Sequence, residues 1–101
     1  MMPKRPNTQE RKHYARIVED GCLICGRPAE IHHSLLYLPR RNDRTFPLCH
    51  EHHRNSRDSV HQDGNERRFF DRHGINAETW PAEAWDETLA ILKGNYHVNK
   101  N

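Results

Sequence analysis

The sequence predicts a small α+β domain in which helices flank a short β-hairpin and a bound metal staples the whole. Three observations carry this reading. Apolar residues fall at helical spacing near both ends of the chain, two short β-like runs bracket a basic polar stretch, and Cys and His recur at metal-ligand spacing around that hairpin. With 101 residues, 34% apolar and 30% charged, the chain fits one domain whose core is too thin to dispense with a staple.

The elements follow in order. Residues 1–7, Met-Met-Pro-Lys-Arg-Pro-Asn, combine two prolines with two basic residues and read as a flexible basic arm. Residues 8–101 form the single domain, with its core at about 20–75. From Thr8, a candidate N-cap, Tyr14, Ile17 and Val18 share a face until Gly21, which predicts a helix over about 8–20. Cys22-Leu23-Ile24-Cys25-Gly26 is a tight turn, with Gly26 supplying the backbone freedom that follows a second metal ligand.

Ala29 to Leu36 reads as a short strand, Pro39 to Arg44 as a basic hairpin loop, and Thr45-Phe46-Pro47-Leu48 as a return strand into Cys49. From His50 the pattern is helical until the polar stretch Asn55 to Gly64 breaks it. Arg67 to His73 forms another helical turn or two with Phe69 and Phe70 inward. Pro81 takes an N1-like position before a packing helix over about 82–93, where Ala84, Trp85, Leu89 and Leu92 repeat at helical spacing.

Charge is asymmetric. Residues 1–74 hold 14 Lys and Arg against 10 Asp and Glu, whereas residues 75–101 hold 2 against 4. The basic part suits an anionic partner such as nucleic acid without deciding it. Three cysteines cannot all pair within one chain, and no apolar signal segment follows Met1 and Met2, so a reducing cytoplasm is expected. No run reaches the roughly 18 apolar residues of a membrane span.

Nine histidines are present, and five of them lie between positions 32 and 53, near all three cysteines. Cys22-x-x-Cys25 supplies two thiolates from one loop, and Cys49-x-x-His52 supplies a thiolate and an imidazole from another. Together they make the four-ligand set of a structural zinc knuckle. A redox role for Cys22 and Cys25 lacks the surrounding strand-helix pattern. His50-Glu51-His52-His53-Arg54 lacks metalloprotease spacing, and the zinc-deaminase pattern is absent too.

His32, His33, His53 and His61 remain. Adjacent residues on a strand point to opposite faces, so His32 and His33 divide their labour. One binds a divalent ion and the other, aimed at substrate, takes a proton from water.

The run Cys-x-x-Cys, Ile31-His32-His33 and Pro47-Leu48-Cys49-His50-Glu51-His52-His53 resembles the HNH or ββα-metal nucleases, in which a hairpin and a helix grip one catalytic ion. More narrowly, Pro-Leu-Cys-x-x-His-His, followed by a later His and by Arg67, Phe69, Phe70 and Gly74, is similar to the phage-borne recombination-enhancement, RecA-dependent nucleases. The likeness spans about residues 20–75.

It implies a ββα-metal fold, with His32 and His53 as metal ligands, His33 as the general base, and His61 completing the ion site or touching the phosphate. The middle Asn of the HNH name, which braces the base, falls to Asn42 or Asp43, with Asp43 preferred. Arg40, Arg41, Arg44 and Arg54 would clamp phosphates along a substrate groove. The implied activity is endonucleolytic cleavage of DNA phosphodiester bonds with low sequence specificity. The ion would be Mg2+, Mn2+, Ni2+ or Zn2+, and a recombinase filament is the implied protein partner.

Two other classes account for less. A non-catalytic zinc-knuckle module that binds nucleic acid explains the cysteines but leaves His32, His33 and His53 idle. A metal-stabilised adaptor that binds another protein through Trp80 and Trp85 explains less still.

Overall fold

The computed structural model describes residues 5–94; residues 1–4 of the expected arm and 95–101 of the expected domain lie outside the described residues. Among the described residues the chain is α+β, with four helices and one two-stranded antiparallel sheet.

Helix α1 spans Thr8–Asp20. Its N-cap is Asn7 rather than Thr8: the Asn7 side chain accepts from the Glu10 amide at 2.8 Å while Glu10 accepts from the Asn7 amide at 2.9 Å, a reciprocal capping box. Gly21 ends the helix at φ +88°, and a Cβ there would stand 2.8 Å from the Gly26 carbonyl oxygen. Only glycine fits where the helix gives way to the cysteine turn.

Strand β1, Glu30–His33, is shorter than its sequence signal, because the chain turns away at Ser34. It pairs with β2, Thr45–Leu48, in the register His32 opposite Phe46 and His33 opposite Thr45. Every residue of β2 is buried. Pro47 is tolerated because its sheet has only two strands, and its carbonyl accepts from the Leu23 amide at 3.0 Å, tying the cysteine turn to the hairpin.

After β2 a single π-helical turn, Glu51–Asn55, is closed by the Ser56 amide on the Glu51 carbonyl at 3.0 Å. The polar stretch predicted to be irregular then contains a four-residue helix α2, Val60–Asp63, capped by the Ser59 hydroxyl accepting from the Gln62 amide at 3.2 Å. Val60 is fully buried and anchors it. Asp63 receives Arg68 at 2.9 Å and Arg72 at 2.9 Å, which locks α2 to α3, Glu66–Arg72.

Helix α4 spans Thr79–Leu92, starting three residues before the predicted bound, so Pro81 sits inside the first turn instead of opening it. The missing proline amide costs nothing there. Phe46, Leu48, Val60, Phe69 and Phe70 form the core, with Phe46 stacked on Phe70 at 4.1 Å and on Trp80 at 5.7 Å between ring centroids. Trp85 meets His13 edge-on at 5.2 Å, so both tryptophans of the adaptor reading are engaged in internal packing.

The α1 face that packs inward differs from the expected one. His13 and Ile17 are buried, whereas Tyr14 and Val18 are half-buried. The His13 Nδ1 lies 2.6 Å from the Thr88 hydroxyl of α4, and Arg16 donates to the same hydroxyl at 2.9 Å.

Candidate metal centres

Cys22, Cys25, Cys49 and His52 offer four ligand atoms within 4.8 Å of one another. The separations are 3.6 Å for Cys25 Sγ to Cys49 Sγ, 3.3 Å for Cys49 Sγ to His52 Nδ1 and 3.9 Å for Cys22 Sγ to His52 Nδ1. A tetrahedral zinc with S ligands at about 2.3 Å and N ligands at about 2.1 Å spaces its ligands by roughly 3.5 to 3.8 Å. These four residues therefore form a group that could hold a metal such as zinc.

The local backbone favours thiolates. The Ile24 amide points at Cys22 Sγ and the His52 amide at Cys49 Sγ, each at 3.4 Å. Burial opposes ionisation of Cys22, yet the amides of Cys49, Ile24 and Cys25 with His52 outweigh it and bring the thiol down to about 7. Burial pushes the Cys49 thiol up, reinforced by the sulfurs of Cys25 and Cys22. A divalent cation among them would relieve that crowding. All three cysteines are free thiols.

The second group is His32, His53 and His61, whose ligand nitrogens also lie within 4.8 Å of one another. Ring centroids are 5.0 Å apart for His32 and His53, 5.3 Å for His32 and His61, and 4.9 Å for His53 and His61. Three elements supply them: β1, the π-helical turn and α2. The short helix that sequence reasoning missed is what delivers His61.

Two carboxylates orient this group. Glu66, at the start of α3, is 4% exposed and accepts from His32 Nε2 at 2.8 Å, from the Ser34 hydroxyl at 2.7 Å and from the Leu35 amide at 2.9 Å. Glu30 accepts from His53 Nδ1 at 2.5 Å. A carboxylate can only accept, so His32 presents Nδ1 and His53 presents Nε2 as the remaining lone pair. Burial alone would raise the Glu66 carboxyl, but the His32, Ser34 and Leu35 hydrogen bonds hold it below the usual range. Burial lowers His32 and His53 despite their carboxylate partners. Burial, His53 and Arg54 lower His61.

Sequence reasoning missed both carboxylates. Glu30 shares the β1 face of His32 by strand alternation, a usable signal. Glu66 has none, since it lies 34 positions from the histidine it bonds.

His33 takes different partners. Its Nε2 lies 3.0 Å from Asn42 Oδ1 and 3.2 Å from the Tyr14 hydroxyl, which itself donates to Asn42 Oδ1 at 2.9 Å. Asn42, 7% exposed, therefore stands at His33, and the preference for Asp43 is corrected. Asp43 accepts instead from Arg41 at 2.9 and 2.7 Å and pairs with Arg44 at 3.4 Å. That pairing outweighs burial and keeps its carboxyl below the usual range.

The four arginines separate in the same way. Arg40 and Arg54 line a cavity of about 240 Å³ together with His32, His33, His53 and His61. Arg41 and Arg44 are turned to Asp43 and line no part of that cavity.

Comparison of the chain with protein-family models, with curated proteins and with solved structures finds no match. No helix among the described residues is long and apolar enough to cross a membrane.

Proposed function

We propose that the chain is a metal-dependent endonuclease of the ββα-metal, or HNH, type that hydrolyses DNA phosphodiester bonds with little sequence preference. The observation that carries this reading is the pairing of a three-histidine group, His32, His53 and His61, with a differently oriented histidine, His33, at one cavity rimmed by Arg40 and Arg54. A structural knuckle alone gives this second constellation no work. The hairpin β1–β2 followed by the helical turn that bears His53 supports assignment to the ββα-metal fold.

His32 through Nδ1, His53 through Nε2 and His61 would hold the ion. Such an ion, when bound, neutralises the scissile phosphate and steadies the leaving oxygen. The residues of the chain supply the rest. Asn42 Oδ1 accepts the His33 Nε2 hydrogen, which leaves His33 Nδ1 as the basic lone pair able to take a proton from water. Tyr14 donates to the same oxygen and fixes the amide. Arg40 and Arg54 hold the flanking phosphates as charge-assisted donors.

DNA is thus the proposed partner, and a phage recombination setting with a recombinase filament rests on the sequence resemblance alone. The test is incubation of the protein with plasmid and linear DNA across a divalent-metal series beside His33→Ala. Cleavage should fall by about 10² to 10⁴ in the variant while DNA and metal still bind. Cleavage by His33→Ala at the parent rate would reject the assignment, and DNA binding without cleavage by the parent would favour a zinc-knuckle binding module.

A further inference from the structure

The loop joining β1 to β2 carries the most exposed large apolar side chain among the described residues. Leu38 is 80% exposed and Leu35 is 36% exposed. A single exposed leucine is ordinary on a protein surface; here its place carries the argument. Leu35 and Arg40, on either side of it, both line the cavity over His32, His53 and His61. The tip between them is held, not loose. Arg40 donates to the Tyr37 carbonyl at 2.9 Å, the Arg41 guanidinium lies 5.2 Å over the Tyr37 ring, and the Leu36 amide donates to the Ser34 hydroxyl at 3.2 Å. Leu36 packs on the core. The loop therefore projects a leucine from a braced base, three residues along the chain from Leu35 and two from Arg40, both of which line the histidine cavity.

Two of the three histidines are recessed, His32 at 1% and His53 at 4% exposure, while His61 is exposed. A straight duplex presents its phosphates on a convex surface, which reaches a recessed site poorly. Apolar side chains at a DNA-facing surface gain most by entering a base step, and doing so unstacks and kinks the duplex.

We propose that Leu38, with Leu35 beside it, is a wedge that enters a base step of duplex DNA next to the phosphate at the histidine site and bends the backbone into the cavity. This rests on the nuclease reading for its consequence in cleavage. It adds to that reading a preferred substrate: duplex DNA that is already opened or flexible at one step.

The experiment uses the full chain with a duplex oligonucleotide carrying 2-aminopurine, and a second duplex with an abasic site in the same place. Leu38→Ala is compared with the parent and with Leu92→Ala, which removes a leucine 37% exposed on α4. Thermal unfolding should be unchanged in Leu38→Ala and lowered by a few degrees at most in Leu92→Ala, whose leucine is partly covered. Parent and Leu92→Ala should raise 2-aminopurine fluorescence on binding, and Leu38→Ala should not.

Cleavage of the paired duplex by Leu38→Ala should fall about 10- to 100-fold, the worth of one unstacked step, and should recover on the abasic duplex. Equal cleavage by parent and Leu38→Ala on the paired duplex overturns the wedge and leaves the nuclease reading standing. Equal losses on both duplexes also overturn it. Fluorescence change without cleavage by the parent keeps the wedge and rejects the nuclease.

Discussion

Glu66 offers the sharpest test of how the histidine group is built, because one buried carboxylate serves three donors. Glu66→Ala leaves His32 Nε2, the Ser34 hydroxyl and the Leu35 amide without their acceptor. An orphaned buried donor costs about 1 to 3 kcal/mol. Leu35 is exposed enough for water to replace part of its loss, so the sum is about 3 to 5 kcal/mol, in the range for breaking a buried pair. For a domain of this size that lowers Tm by more than about 10 °C.

Glu66→Gln separates structure from metal chemistry. Its carbonyl oxygen can replace the carboxylate oxygen that accepts from both His32 and Leu35, so stability should fall by only about 1 kcal/mol. Without the negative charge the His32 imidazole is a poorer donor, and affinity for the second ion should fall about 10- to 100-fold. The assay is thermal unfolding together with competition titration of a divalent ion, on protein first loaded with zinc at the cysteine group. A Glu66→Ala protein melting within about 2 °C of the parent, or a Glu66→Gln protein binding the ion as tightly as the parent, refutes the reasoning.

Three further outcomes follow from other parts of the fold. Stripping the metal from Cys22, Cys25, Cys49 and His52, or replacing Cys49 with Ser, should abolish cooperative unfolding, since such sites supply on the order of 10 kcal/mol; a chelated protein with an undiminished calorimetric transition would contradict this. Arg40→Ala with Arg54→Ala should flatten the salt dependence of DNA binding by about two units of slope, whereas Arg41→Ala with Arg44→Ala should leave the slope alone; equal slopes for the two double variants would place the interface elsewhere. Burial, helped by Arg16, pushes His13 down to about 4, so the unfolded chain takes up its proton first. The stability it guards is present above about pH 6.5 and is lost as pH falls toward 4, by up to about 3 kcal/mol. Denaturant melts of His13→Gln should show a smaller loss than the parent over that window, and identical pH profiles would rule this out.

What the sequence made legible was local. The helix over Thr8–Asp20, the hairpin strands and the Cys and His ligand groups all depend on spacings of a few residues, where backbone periodicity and ligand geometry speak directly. What it hid depends on contacts between distant segments. Glu66 reaches His32 across 34 positions, and His13 reaches Thr88 across 75. His13 nonetheless left a trace, since it stands four residues before the buried Ile17 on the same helical face. The choice between Asn42 and Asp43 was out of reach for a different reason. Neighbouring loop residues point apart: Arg41 and Arg44 take Asp43, while Tyr14 and Glu10 of the distant α1 hold Asn42 at His33.

The two metal groups are joined through one pair of neighbours. His52 turns to the cysteines and His53 to His32 and His61, although they are consecutive. Successive residues on a helical turn diverge by roughly 100°, so a single turn can serve two sites only if its axis is fixed between them. Cys49 fixes it, because its thiol belongs to the first group while its carbonyl accepts from the His53 amide at 2.8 Å. Whatever orders the cysteine group therefore places His53, and the converse does not hold: His53 has no bond to a cysteine side chain, and its own anchor is Glu30 on β1. The proposed ion at the histidines could then come and go on a turn that a metal at the cysteine group would keep in place. The proposed hydrolytic role would use that order of dependence, since an exchangeable ion requires a scaffold that stays folded beneath it.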